Sequence, residues 1–197
     1  MSKKVELKSF ELKKVKFNAK KGLEIEFYDI NEPNDLWSVD SDSQPSDDYH
    51  SALNTLKEVL AYSLGVNNGW DFARENNRKN DDALKASIRG WADEIERCNV
   101  TGLSLVGVGD SLGIKISGSL KTDLGTVGLA SPIIRFDSEF VNSVDETIMI
   151  GDLAETAFNK VQEEVWMFIF KGKRGGELFP AEEVESGLNI SKMQKVG

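Results

Sequence analysis

The sequence predicts an α+β fold, a mostly antiparallel sheet packed on helices in the order ββ-α-α-βββ-α, and two observations carry that prediction. Period-two alternation dominates residues 15–28 and 100–136, whereas helical spacing with capping signals dominates 46–64, 80–98 and 152–171. Strands and helices are grouped rather than alternating as β-α-β, which points to hairpins and a meander instead of a parallel sheet.

The first strands are "VKF" (15–17), with a start as early as Val5, and "LEIEFY" (23–28), joined by "NAKKG", where Gly22 can take a positive φ. Asp29 to Pro45 is polar, acidic and turn-rich apart from Leu36, Trp37 and Val39, and reads as a long loop. Ser46 with Asp47 and Asp48 supplies an N-cap and an acidic first turn. Tyr49, Ala52, Leu53, Leu56, Leu60 and Leu64 then recur at helical spacing up to Gly65. Residues 66–80 form a connector. Asn80, Asp81 and Asp82 begin a second helix with Leu84, Ile88, Trp91, Ile95 and Cys98 on one face. Three strands follow, 100–108, 112–120 and 125–136, with turns at Gly109–Asp110 and Lys121–Gly125. The last helix, about Asp152 to Lys171, carries Leu153, Ala157, Phe158, Val161, Val165, Phe168 and Ile169, and its nearly all-apolar end "VWMFIF" predicts a buried Trp166.

A chain of 197 residues, 40% apolar and 29% charged, can bury a real core, so residues 1–179 are expected to form a single α+β domain. Residues 180–197 hold Val184, Leu188, Ile190 and Met193 too sparsely for a helix face and are expected as an extended or mobile C-terminal tail. The opening "MSKKVELKSF" lacks the apolar run of a signal peptide or anchor, and no stretch reaches membrane-span length, so an intracellular protein that does not engage a membrane is expected. One cysteine, Cys98, permits no intramolecular disulfide and no thiolate cluster, and it reads as a small core residue.

Charge is uneven. Residues 1–21 hold eight lysines against Glu6 and Glu11, whereas residues 22–48 hold nine acids and no Lys or Arg, in a chain of net charge −9. That balance disfavours a uniformly basic nucleic-acid footprint and suits a basic protein surface.

Local motifs give way to their context. In "KGKRGG", Gly172 is the natural residue after the helix end. Lys171, Lys173 and Arg174 complement its carbonyl pole, and an anion or nucleic-acid contact by Lys173 and Arg174 is the alternative. "GVGDSLG" (107–113) has its third glycine one residue late for a dinucleotide loop and precedes a strand, which makes it a hairpin turn. "DSDSQPSDD" (40–48) alternates oxygen ligands as a Ca²⁺ loop does, but lacks the central glycine and the twelfth-position glutamate. His50 is the sole histidine, in a helix's first turn with no nucleophile motif, and reads as a surface residue. Glu94/Glu96 and Glu163/Glu164 are spaced so that they do not face each other on a helix. No catalytic residue, cofactor or metal ligand emerges.

The segments "FELKKVKF", "PSDDYHSALNTLKEVL", "VTGLSL", "GIKISGSL", "ASPIIRFD" and "EEVWMFIFKGKRGGELF" together resemble an uncharacterised family of proteins encoded in bacteriophage and prophage genomes, over about Lys8 to Phe179. The resemblance implies no established activity and no functional residue. It implies a phage-like setting, the cytoplasm of a bacterial host, where small proteins assist nucleic-acid metabolism or block host factors.

Three functional classes stand as expectations. The preferred one is a non-catalytic interaction protein whose acidic residues, represented by Glu24, Glu26, Asp35, Asp40 and Asp42, meet a basic protein partner, with a further acidic stretch at 81–96. The alternative is a single-stranded nucleic-acid accessory using Lys13, Lys14, Lys16, Lys20 and Lys21 of the hairpin, with Lys173 and Arg174, and Tyr28 or Trp37 to stack on bases. An enzyme built on carboxylates or His50 is the third. A homo-oligomer is left open.

Overall fold

The computed structural model of the chain describes residues 6–63, 93, 95–141, 147–175 and 193–196. The fold is α+β with a predominantly antiparallel sheet, as the periodicity predicts. Its strands are β1 (Phe10–Phe17), β2 (Leu23–Asp29), β3 (Glu32–Ser41), β4 (Cys98–Val106), β5 (Gly113–Thr122), β6 (Gly125–Ala130), β7 (Ile134–Arg135) and β10 (Met193–Val196). They lie in the order β10-β3-β2-β1-β4-β5-β6, with β7 on β5, and a separate pair is formed by β8 (Phe140–Val141) and β9 (Thr147–Ile148). The helices are α1 (Asp47–Asn54), α2 (Leu56–Ser63) and α3 (Ile150–Phe170). No helix among the described residues is long and apolar enough to cross a membrane.

By packing, the chain falls into two compact units interleaved in sequence: Met1–Leu53, Gly102–Leu105 and Phe158–Gly197 form the first, and Asn54–Thr101 with Val106–Ala157 the second. In the first, β1 pairs with β2, β2 with β3, β3 with β10, and the middle of β4 with β1. Phe10, Leu12, Val15, Leu23, Ile25, Phe27 and Val39 point to one side and are buried. A shift of register between Leu12 and Lys14 makes this possible. In "FELKKVKF" the apolar residues fall out of step after Leu12, and one extra residue, Lys13, restores Val15 to the core face. The Leu12 N–H at this break donates to Gln162 Oε1 on α3 at 3.0 Å. Phe10 and Phe27 lie 4.8 Å apart between ring centroids, and each meets Phe170 edge-on at 6.0 Å. In the second unit Leu60 of α2 approaches Gly118 of β5, and Cys98, Val100, Ile114, Ile116 and Ile134 are buried.

Several expectations are corrected. The stretch Asp29–Pro45 is not a long loop, because Glu32–Ser41 forms β3, which pairs with β2 from Leu36 to Ser41 and, across a register break, at Glu32. Its polar residues disguise it: one face of this strand is solvated, and Pro33 sits near its start, where a missing N–H is tolerated. The single helix expected at 46–64 is two, interrupted at Thr55. Cys98 opens β4 rather than closing a helix, although it is fully buried as expected. The left-handed residue of the first turn is Lys21 (φ 64°), not Gly22. Gly22 is required for another reason: a Cβ there would stand 1.8 Å from the Ser41 carbonyl oxygen. Within 180–197, Met193–Val196 add a strand to β3. The connector 66–80, the rest of the tail, and the second helix apart from its last turn lie outside the described residues.

Trp166 is half-buried rather than core, with Lys171 Nζ 5.5 Å from its ring centroid; Phe168, 1% exposed, takes the buried place. Trp166→Ala is accordingly expected to cost about 1–2 kcal/mol, below the range for a fully buried aromatic. Chemical denaturation of the two proteins checks this.

Candidate functional site

Part of the lysine set and part of the acidic set that the sequence sets apart as rival surfaces are bonded to each other, on one sheet face and at its adjoining turn. Cross-strand partners share a face. The register pairs Lys14 with Glu26 and Lys16 with Glu24, and the ammonium–carboxylate distances are 2.9 and 2.7 Å. Glu24 is in turn opposite Asp40 of β3. The turn continues the pattern. Asn18 Oδ1 accepts the N–H groups of Lys20 and Gly22, its amide donates to Asp40 Oδ1 at 2.8 Å and to the Ser41 carbonyl, and Lys20 Nζ reaches Asp42 at 2.8 Å. Hydrogen bonds to Glu24 and Asp42, reinforced by the charges of those carboxylates, hold the Lys16 and Lys20 ammonium groups above their ordinary pKa.

Of the remaining hairpin lysines, Lys13 occupies the register break and Lys21 the left-handed turn position. Asp35 lies on β3, half-buried. Of the two aromatic residues offered for base stacking, Tyr28 shares the outer face with the lysines, whereas Trp37 pairs with Phe27 and so lies on the core side. "DSDSQPSDD" does not converge on a point: Asp40 serves Asn18, Asp42 serves Lys20, and Asp48 serves Lys173.

The end of α3 is a clasp. Gly172 has φ 68°, the left-handed stop that the sequence indicates. That turn carries Lys173 back over the helix, where it is 9% exposed. Its ammonium bonds both oxygens of Glu164, at 2.9 and 2.7 Å, and Asp48 Oδ2 of α1 at 2.7 Å. Ser46 completes the arrangement, accepting the Tyr49 N–H as an N-cap at 3.3 Å and donating to Glu164 at 3.4 Å. Gly175 N–H donates to the Gln44 carbonyl at 3.0 Å, and a Cβ at Gly175 would lie 2.6 Å from the Pro45 oxygen. Burial lowers the Lys173 pKa, but hydrogen bonds to Asp48 and Glu164 and the charges of those carboxylates outweigh it and leave the pKa raised. Arg174 lies with its guanidinium 3.8 Å from the Phe168 ring centroid and donates to the Phe168 carbonyl, one of the acceptors a helix end leaves unpaired. It is half-buried, not at an open helix end.

His50 is exposed as expected, stacked on Phe17 at 5.5 Å and 14°. Beside it Tyr49 is fully buried, and desolvation drives its phenol pKa far upward; its hydroxyl has no hydrogen-bond partner among the described residues. No group of three or more His, Cys, Asp or Glu side chains that could hold a metal occurs among the described residues. Sequence reasoning missed the part Glu164 and Asp48 play, since nothing local links residues so far apart to Lys173. Comparison with family models, curated proteins and solved structures finds no match for this chain.

Proposed function

We propose that the chain is a non-catalytic accessory protein, of the phage-encoded kind its sequence resembles, that acts by binding a protein partner with a basic surface. The observation that carries this reading is the pairing of the hairpin lysines with β2 and turn carboxylates. Lys14, Lys16 and Lys20 pair with Glu26, Glu24 and Asp42, which takes three of the five hairpin lysines from the strip that a nucleic-acid binder needs and leaves the acidic surface to the acids outside these pairs. Lys173 is committed likewise inside the clasp. Asp40 accepts from a neutral amide, Asp47 is exposed, and the chain as a whole is at −9, which favours a cationic partner. Phage origin and a host setting rest on the sequence resemblance.

Titration with a lysine-rich peptide tests the reading. Binding at low salt that weakens as salt rises, and that falls about tenfold in the Asp35→Asn/Asp40→Asn variant, is expected. The same charge change placed on α3, Asp152→Asn/Glu155→Gln, should leave the affinity unchanged. Equal losses in the two variants would mean that the β3 acids form no specific surface.

A further inference from the structure

Among the described residues the sheet ends at β6, and this edge carries none of the devices that keep a strand from pairing with another chain. Gly125–Ala130 contains no charge and no proline, keeps regular register with β5 over six successive pairs, and is exposed at every position except Leu129. Leu124 just before the strand is fully exposed, Val127 within it is 51% exposed, and Ile133 beyond it is 52% exposed. We propose that β6 pairs antiparallel with β6 of a second copy of this chain, about a two-fold axis at Gly128.

The backbone fixes this register. Ser131 N–H donates to the Ile116 carbonyl at 2.9 Å, and in an antiparallel ladder such hydrogen-bonded pairs recur every second residue. Val127 and Leu129 therefore direct their backbone groups to β5, while Thr126, Gly128 and Ala130 direct theirs outward. A two-fold axis at Gly128 sets Thr126 against Ala130 of the second copy and Gly128 against itself, so all three outward residues meet groups that are likewise outward. The same register sets Val127 opposite Leu129 of the second copy, an apolar cross-strand pair on one face, with Thr126, Gly128 and Ala130 on the other. This self-complementary register argues for a second copy as the occupant, and charge at the edge permits it. Two chains of −9 repel, and Leu124–Ile134 is a stretch without one charged residue, along which they can meet with no carboxylates opposed. This seam is separate from the acidic surface proposed above and does not depend on it.

Sedimentation equilibrium of the full chain over a range of concentrations, with two variants, tests the seam. The native chain should be a dimer that dissociates on dilution. Val127→Lys, at a half-exposed position, should raise the dissociation constant about tenfold or more while circular dichroism is unchanged. Gly128→Cys reports on the register itself. A Cβ at this position meets nothing within 4 Å, and hydrogen-bonded partners across an antiparallel pair lie about 5.5 Å apart between Cα atoms, within disulfide range. Mild oxidation should yield a covalent dimer from Gly128→Cys but not from Ser43→Cys, an exposed position on the loop before α1. A chain that is monomeric at every concentration, including one whose β6 edge takes up a peptide from another protein, overturns the proposal. So does a dimer indifferent to Val127→Lys, or equal cross-linking of the two cysteine variants.

Discussion

Phe27→Ala is expected to destabilise the protein by about 3–5 kcal/mol, several times the cost of an ordinary surface substitution. Phe27 is 0% exposed at the centre of β2, between Phe10 on β1 and Phe170 at the end of α3. Truncation removes the buried ring, opens a cavity that neighbours held in strand and helix cannot fill, and leaves two aromatic partners without their edge-on or tilted contact. A conservative replacement separates packing from geometry: Phe27→Leu retains most of the apolar volume and should cost clearly less. Equilibrium urea unfolding of the three proteins measures both differences. A loss below about 1 kcal/mol for Phe27→Ala would mean that the aromatic cluster is not part of the cooperative core.

Lys173→Met is the second large effect, at about 3 kcal/mol. Methionine keeps much of the aliphatic stem but leaves Glu164, whose side chain is 17% exposed, without its cation. Asp48 is 70% exposed and recovers hydration, which keeps the expected loss at the lower end for a buried ion pair. The double variant Lys173→Met/Glu164→Leu should regain part of the loss, because it removes the charge that the single substitution strands. The clasp also has a pH signature. The folded-state pKa of Lys173 is raised above its ordinary 10.5, so its contribution is fully present below pH 10.5 and is lost as pH rises through the raised value. The stability gap between native chain and Lys173→Met should stay constant across neutral pH and narrow in strongly alkaline solution.

Some of this was legible in the sequence and some was not, for identifiable reasons. Ser46 with two aspartates announced the start of α1, and Gly172 announced the end of α3, because caps are local. The turn of the first hairpin was legible too, and the ion pairs are implicit in it. Lys14 and Glu26, like Lys16 and Glu24, are equidistant from Lys20, so a hairpin turning there must place them opposite one another. The bulge at Lys13 leaves this relation intact, since it lies on the far side of both pairs from the turn. β3 is hidden in the sequence because its solvated face supplies the Asp, Asn and Ser that usually mark loops, and only pairing with β2 makes an extended conformation worthwhile. The clasp was not legible at all. Lys173 and Asp48 are brought together by tertiary packing, and the terminal lysine of an apolar helix reads locally as a dipole complement.

If the basic residues of this chain serve its own sheet and helix end rather than a phosphate backbone, the chain should have no affinity for single-stranded DNA. Fluorescence anisotropy with a labelled oligothymidine, at about 20 and 200 mM salt, tests this most directly. No saturable binding is expected at either concentration, for the native chain and for Lys13→Ala/Lys21→Ala alike. Tight binding at low salt that falls steeply with salt, and that is lost when Lys13 and Lys21 are replaced in a normally folded protein, would contradict it.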